Sequence, residues 1–431
     1  MATQIGYANS ATARKAVTAG AIGNFIEWYD FAVYGFFATI IAGQFFPSED
    51  RVASLLATFA VFAVSFFMRP VGAFVFGHYG DRVGRRSTLA VAVILMGIAT
   101  LMIGVLPTYG QVGVFAPILL VVARLLQGFS AGGEWSGSAA FMVEYAPESR
   151  RGLYGSWQQF SIVAGLLVGS AIGAFLGTVM PEDALNAWGW RIPFILGILV
   201  GAVGLYLRLR LEDTPAFRVI EQKNEVASAP IKESFTSHRG ESVTAIGFTV
   251  GWTVSYYILL TYMPTYVSET LGIPLTTALF SNAIGLIVLM ALIPFTGALS
   301  DRIGRKPLLI AFSALIALLT YPLFLLVSTG SLILIVLGQV LFGLIISLFS
   351  GPGPAALVEM FPTNVRYSAL GVSYNIAVAA FGGTAPFIAT YLISSTGSNL
   401  APGIYLIVAA LITLIFVSRI RETSREPLRE T

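Results

Sequence analysis

Gly77-His-Tyr-Gly-Asp81-Arg-Val-Gly-Arg-Arg86 returns 220 residues later as Gly297-Ala-Leu-Ser-Asp301-Arg-Ile-Gly-Arg-Lys306. A second pair follows in the same order. Glu144-x-x-Pro147 with Arg151 is matched by Glu359-x-x-Pro362 with Arg366, at an offset of 215. One such echo could arise by chance, but two in the same order mark an internal duplication. Each copy lies between long apolar stretches, so the duplicated unit reads as a bundle of membrane helices.

Composition supports that reading. Of 431 residues, 56% are apolar and 11% charged, whereas a soluble domain carries roughly 25% charged residues to cover its surface. A bilayer core about 30 Å thick takes roughly 20 apolar residues per helix. Twelve stretches satisfy that length: 18–42, 53–78, 87–106, 113–143, 153–178, 189–208, 242–267, 277–299, 307–328, 332–358, 368–392 and 402–419. The expected fold is an all-α membrane protein of two pseudo-symmetric six-helix bundles. The first occupies residues 1–207 and the second 242–420, with a hydrophilic linker at 208–241 and a short tail at 421–431.

The basic residues give an orientation. Alternating loops on one face hold 21 of the 25 lysines and arginines; the other face holds only Arg51 and Arg191, and Arg69 and Arg124 lie inside spans. The positive-inside rule then places both termini and the linker in the cytoplasm of a cell whose plasma membrane the chain spans many times. The chain has no Cys, and its two His, His78 and His238, lack ligand spacing, so no metal site or cofactor is expected. No phosphate-cradling G-x-x-x-x-G-K-[ST] is present, and the basic loops lack the aromatic interleaving of a nucleic-acid surface. No nucleophile–base set shares one depth, so no catalytic residue is assigned and no enzyme is expected.

These motifs carry a resemblance. The repeated G-x-x-x-D-R-x-G-R-[RK] resembles the signature of the major facilitator superfamily. Gly23-Asn-Phe-Ile-Glu27-Trp-Tyr-Asp30, Arg124-Leu-Leu-Gln-Gly128, Gly132-Gly-Glu134-Trp, Gly189-Trp-Arg191-Ile-Pro193-Phe and Met360-Phe-Pro-Thr-Asn-Val-Arg366 resemble its metabolite:proton symporter family. The resemblance implies alternating-access symport of a proton with a small carboxylate-bearing metabolite, by a protein that functions as a monomer in the bilayer. Tyr256-Tyr-Ile-Leu-Leu-Thr-Tyr-Met-Pro264 and Arg366-Tyr-Ser-Ala-Leu look like the proline/betaine branch, while Arg124 and Phe381-Gly-Gly look like the branch carrying dicarboxylates such as 2-oxoglutarate. The substrate therefore stays open between a zwitterion and an organic anion. An uncoupled facilitator or exchanger, or a sensor that moves nothing, are the alternatives.

Ionisable groups at bilayer depth are costly, which makes them functional candidates. Span one carries Asn24, Glu27 and Asp30 on one helical face, span two Arg69, and span four Arg124, Gln127 and Glu134. Three acids against two arginines leave one carboxylate in excess, and an uncompensated buried carboxylate takes up a proton. One of Glu27, Asp30 and Glu134 is thus the expected proton carrier, with Arg69 or Arg124 controlling its release. Arg124 either grips the substrate carboxylate in two-point geometry or pairs permanently with Glu27 or Asp30. Asn24, Tyr34, Arg124, Gln127, Tyr256, Tyr374 and Asn375 are the expected substrate contacts, the tyrosines offering cation–π attraction to a quaternary ammonium. Adjacent residues point to different faces of an α-helix, so at most one of Tyr256 and Tyr257 is expected to face the pore.

The duplicated loops read as latches. Asp81 and Asp301 end their spans beside the basic runs Arg82, Arg85 and Arg302, Arg305, with Gly84 and Gly304 suited to a tight turn. Arg85 is expected to pair with Glu144, and Arg305 with Glu359; Arg151 and Arg366 complete the gate. The resemblance implies that Asp81 docks on span eleven and Asp301 on span five, closing the cytoplasmic side. Gly165, Gly169, Gly173 and Gly177 recur every fourth residue along span five, a spacing that lets helix backbones approach.

Overall fold

The computed structural model describes residues 10–83, 85–209, 239–363 and 366–429, with the side chains of 10–17, 19, 77–90, 200, 203–209 and 367 outside that description. Among the described residues the chain is helical, without strands. Nine helices among the described residues are long and apolar enough to cross a membrane, and Gly20–Phe36 with Ala38–Phe45, bent by 64°, makes a tenth. The shorter apolar helices Val91–Val105 and Gly189–Leu199 stand at the third and sixth positions, so the order is consistent with twelve spans. Large apolar side chains such as Phe74, Phe115, Phe175, Phe295, Leu318 and Ile333 face outward. In water this belt would be unfavourable; against lipid it costs nothing.

The two halves repeat the same pairing. Span one (Gly20–Phe36) packs on span five (Glu148–Val179), as span seven (Arg239–Thr270) packs on span eleven (Ser368–Thr396). Span two (Arg51–Phe76) packs on span four (Phe115–Glu144), as span eight (Leu275–Ile303) packs on span ten (Leu332–Met360). Span three pairs with six, and nine (Arg305–Ser328) with twelve (Ala401–Arg419). The halves meet mainly along spans five and eight and spans two and eleven.

Glycine sets the closest approaches. A Cβ on Gly132 would strike the backbone of Arg69 and Ala73 on span two, and one on Gly165 would meet the backbone of Phe25 on span one. The span five stripe then changes partner, since Gly173 and Gly177 face Leu279 and Thr276 of span eight. One run of small residues thus builds both the first half and the seam between halves.

Spans seven and eleven are not plain α-helices. Tyr256–Tyr262 and Tyr266–Thr270 of span seven and Val378–Gly382 of span eleven adopt π-turns, a wider winding that clusters at functional sites. Pro264 and Pro386 open the α-helical segments that resume afterwards, where a missing amide donor costs least.

The last described residues lie across the face that carries the basic loops. Glu422 accepts from the amides of Arg305 and Lys306, both at 2.9 Å, and Lys306 Nζ donates to the Ile420 carbonyl. Arg151 reaches the carbonyl of Glu426, and Thr363 donates twice to that of Arg429. The sequence suggested only a charged tail; hydrogen bonds to both halves make it a strap.

Candidate functional site

Midway along the seam is a small cavity lined by Trp28, Gln159, Trp252, Thr253, Tyr256, Tyr257 and Tyr374, with about 10 Å³ of room for the centre of a water-sized sphere. That is room for about one water, so a metabolite needs the walls to part. The walls are mostly aromatic. Trp28 lies 6.3 Å from Tyr256 and 5.7 Å from Tyr257, and Trp252 stands edge-on to Tyr256 at 5.9 Å. Both Tyr256 and Tyr257 line the cavity, against the expectation that only one would. The π-turn that begins at Tyr256 turns less per residue than an α-helix and brings the pair to one side.

Two polar atoms in this wall have no hydrogen-bond partner among the described residues: Trp28 Nε1 and Tyr257 Oη, both buried. Tyr256 is satisfied, its hydroxyl hydrogen-bonded to Ser350 at 3.1 Å. A buried orphan donor costs free energy on the order of 1–3 kcal/mol, so two in one small cavity suit an acceptor brought in from outside.

Behind the wall lies the charged cluster. Arg69 Nη2 is 2.7 Å from Glu27 Oε1, each side chain 1% exposed. The rest of the guanidinium lies over the rings of Phe31 and Phe66, 4.6 and 4.7 Å from their centroids. Arg124 therefore does not pair with Glu27, and it makes no ion pair with Asp30 either. It donates to Gln127 Oε1 at 2.7 Å, to Ser65 Oγ at 2.8 Å and to the Phe62 carbonyl at 3.4 Å, among the rings of Phe31, Tyr34 and Phe62. Asp30 accepts instead from Thr100 Oγ1 at 2.6 Å. Of the three acids, Asp30 is buried with no arginine or lysine in ion-pair contact among the described residues, whereas Glu134 is only half-buried beside the Gly132–Gly133 break in span four.

The remaining expected contacts lie around this centre rather than in it. Asn24 bonds Ser138 and the Gly20 carbonyl, Tyr34 donates to the Thr58 carbonyl, and Asn375 donates to the Gly132 carbonyl across the seam. Of the seven, only Tyr256 and Tyr374 line the cavity, while Arg124 and Gln127 sit behind it. Trp252, Thr253, Gln159 and Thr100 were not singled out by sequence. Gln158-Gln159 carried a usable signal, two amides inside an apolar span; Trp252 and Thr100 carried none.

The basic face is closed by contacts that exchange partners between halves. Asp301 accepts from the amides of Gly152 and Leu153, at 2.8 and 2.9 Å, where span five begins, a carboxylate on the positive end of a helix. Arg151 pairs with Glu359 at 3.0 Å and Arg366 with Glu144 at 2.8 Å. Arg305 meets both Asp301 and, at 3.4 Å, Glu359. Glu144 was expected to meet Arg85; among the described side chains it is met by Arg366. Gly84 and the side chains of Asp81, Arg82 and Arg85 lie outside the described residues, and Arg302 makes no ion pair among the described residues. Gly304 has a φ of 103°, a conformation that a side chain disfavours. In the strap, burial raises the Glu422 carboxyl, but hydrogen bonds from the amides of Arg305, Lys306 and Ser424 outweigh it and hold it below the ordinary glutamate value.

The opposite face is closed more lightly. Arg51 grips Glu269 through two bonds, 2.6 and 3.0 Å, with Arg51 56% exposed. Ser170 donates to the Leu279 carbonyl nearer the middle.

Known proteins match this architecture. The Major Facilitator Superfamily model matches residues 20–372 and again 283–431. The glycine betaine/proline/ectoine/pipecolic acid transporter of Dickeya dadantii is 40% identical over 96% of this chain and 85% of its own length. The proline/betaine transporters of Salmonella typhimurium and Escherichia coli K12 are each 38% identical with the same coverage. Among solved structures, the proton:xylose symporter bound to 6-bromo-6-deoxy-D-glucose superposes with a TM-score of 0.78 at 19% identity, covering 98% of both chains. A partially occluded inward-open xylose transporter from E. coli gives 0.77 at 20% identity, covering 97% of this chain and all of its own. Relatives and fold alike are transporters rather than enzymes. The chain is a multi-pass membrane transporter that belongs to the major facilitator superfamily and, within it, to the metabolite:proton symporter family.

Proposed function

We propose that this chain imports a small zwitterion, such as glycine betaine or proline, together with a proton. The observation that carries this reading is the cavity wall: among the described residues it has aromatic faces, two orphan donors, Trp28 Nε1 and Tyr257 Oη, and no cationic side chain. The rings attract an ammonium or pyrrolidinium by cation–π contact, and the two N–H and O–H donors receive its single carboxylate. A dicarboxylate such as 2-oxoglutarate would bring a second negative charge to a wall that offers it no cation. The names of the relatives point the same way.

Asp30 is the proton carrier in this reading. Of the three candidate acids it is the buried one without an ion-pair partner among the described residues, while Arg69 already neutralises Glu27. Arg124 sits behind the aromatic wall and acts on the carrier rather than gripping substrate. The contacts of Asp301, Arg151–Glu359 and Arg366–Glu144 hold the cytoplasmic side shut, and Arg51–Glu269 is the outer latch. In this reading the basic loops face inward, by the positive-inside rule, and both termini lie on the cytoplasmic side of a bacterial inner membrane.

Uptake by the purified protein in proteoliposomes tests this directly. An inward proton gradient is expected to drive accumulation of labelled glycine betaine or proline, a protonophore to abolish it, and 2-oxoglutarate not to compete. Uptake that survives the protonophore would make the chain a facilitator or exchanger; binding without flux would make it a sensor.

A further inference from the structure

Three hydrogen bonds join Arg124 to Asp30 without an ion pair. Arg124 Nη1 donates to Gln127 Oε1 at 2.7 Å, Gln127 Nε2 donates to Thr100 Oγ1 at 2.9 Å, and Thr100 Oγ1 donates to Asp30 Oδ2 at 2.6 Å. None of the four residues is more than 1% exposed. The direction of the chain is dictated by chemistry. A guanidinium only donates, so the amide oxygen of Gln127 must face it. The amide NH₂ also only donates, so the Thr100 oxygen accepts and its single hydrogen is left for the carboxylate.

We infer that Thr100 and Gln127 are positioning residues in an oriented hydrogen-bond relay, through which the charge on Asp30 sets the hold of Arg124. The inference rests on Asp30 being the proton carrier. Every donor in the relay points at Asp30, so an ionised carboxylate is the terminus that suits it. A hydroxyl on an anionic oxygen makes a bond about twice as strong as a neutral one, and such chains polarise cooperatively.

The same geometry selects the oxygen that takes the proton. Thr100 occupies Oδ2, whereas Oδ1 has no hydrogen-bond partner among the described residues. Gly197 of span six leaves space there, since a Cβ on it would come within 3.1 Å of Oδ1. A proton arriving at Oδ1 forms one O–H bond and breaks none. It removes the negative charge that tensions the relay and leaves Arg124 held chiefly by Ser65 and the Phe62 carbonyl of span two. The Phe62 ring stands 6.0 Å from Tyr257 in the cavity wall, so the slackened relay borders the substrate site. The charged and titratable groups facing Asp30 are Glu27 and Tyr29 on its own helix and Arg124 on span four, with Arg69 of span two beyond Glu27.

The test is the pH profile of uptake in proteoliposomes, with protonophore-insensitive substrate exchange as the measure of folded protein. Thr100→Val removes the hydroxyl at nearly constant shape. With that donor gone, the alkaline limb is expected to move upward by about one pH unit, from the strength of a hydrogen bond to a charged group. Thr100→Ser should restore the native profile. Gln127→Met should move the limb in the same sense by less, and serves if Thr100→Val does not fold. If both profiles superimpose on the wild type while Asp30→Asn abolishes accumulation, the relay is wrong and the carrier stands. If Asp30→Asn still accumulates substrate, the carrier assignment falls and the relay with it.

Discussion

Trp135 of span four and Tyr374 of span eleven lie face to face, ring centroids 3.6 Å apart and planes within 7° of parallel. The stack joins the two halves between the cavity, which Tyr374 lines, and the basic face. Trp135→Ala removes a buried aromatic contact on the path to that face. The chain contains no Cys, so a single cysteine at Gln159 reports solvent access without background. Its labelling from the basic side is expected to rise several-fold in Trp135→Ala; an unchanged rate would exclude the stack as a barrier.

The two faces should yield to different extents. Arg151 and Glu359 are 3% and 2% exposed, Arg51 and Glu269 56% and 23%. Removing one partner of a buried pair costs about 3–5 kcal/mol because a charge is stranded, whereas an exposed pair contributes about 0.2–1 kcal/mol. Arg151→Ala is therefore expected to shift accessibility strongly toward the basic face, and Arg51→Ala to shift it weakly and only at low salt. Paired single-cysteine labelling at both faces measures the difference.

If the proposed substrate is right, its contacts should divide by the end of the molecule they hold. Tyr257→Phe removes one orphan donor while keeping the ring. It is expected to raise KM for glycine betaine roughly tenfold, since a hydrogen bond to a charged group contributes about 1.5–3 kcal/mol. Trp252→Leu removes a π face instead and should weaken a quaternary ammonium more than proline. Equal losses for both substrates would overturn the division.

The strap has its own pH signature. The Glu422 carboxyl is held below its ordinary value by three backbone amides, against the opposing effect of burial. Its contribution is present above the ordinary glutamate range and is lost as pH falls through the depressed value. Limited proteolysis of the tail should accelerate only below that range in the native chain, and at neutral pH in Glu422→Gln.

Much of this was legible in sequence. The duplicated Asp81 and Asp301 runs gave the two bundles, because topology writes itself in apolar length and basic loops. The depth of Glu27, Asp30, Arg69 and Arg124 singled out the charged cluster, because buried charge is rare enough to notice. Their partners were not legible. Glu27 could meet either arginine by spacing alone, and only the packed helices bring Arg69 to it. Tyr257 was discounted by α-helical geometry that span seven abandons at that point. Thr100 and Trp252 look like ordinary membrane residues until packing gives them neighbours.

The exchange of partners at the basic face has a consequence for descent. Duplication gave each half an arginine and a carboxylate, yet Arg151 is answered by Glu359 and Arg366 by Glu144, over 208 and 222 residues of chain. In these two pairs each charge is answered from the other copy. A change at Arg151 finds its suppressor at Glu359, in the other copy, so the halves are free to diverge in their cores but must drift together at this seam.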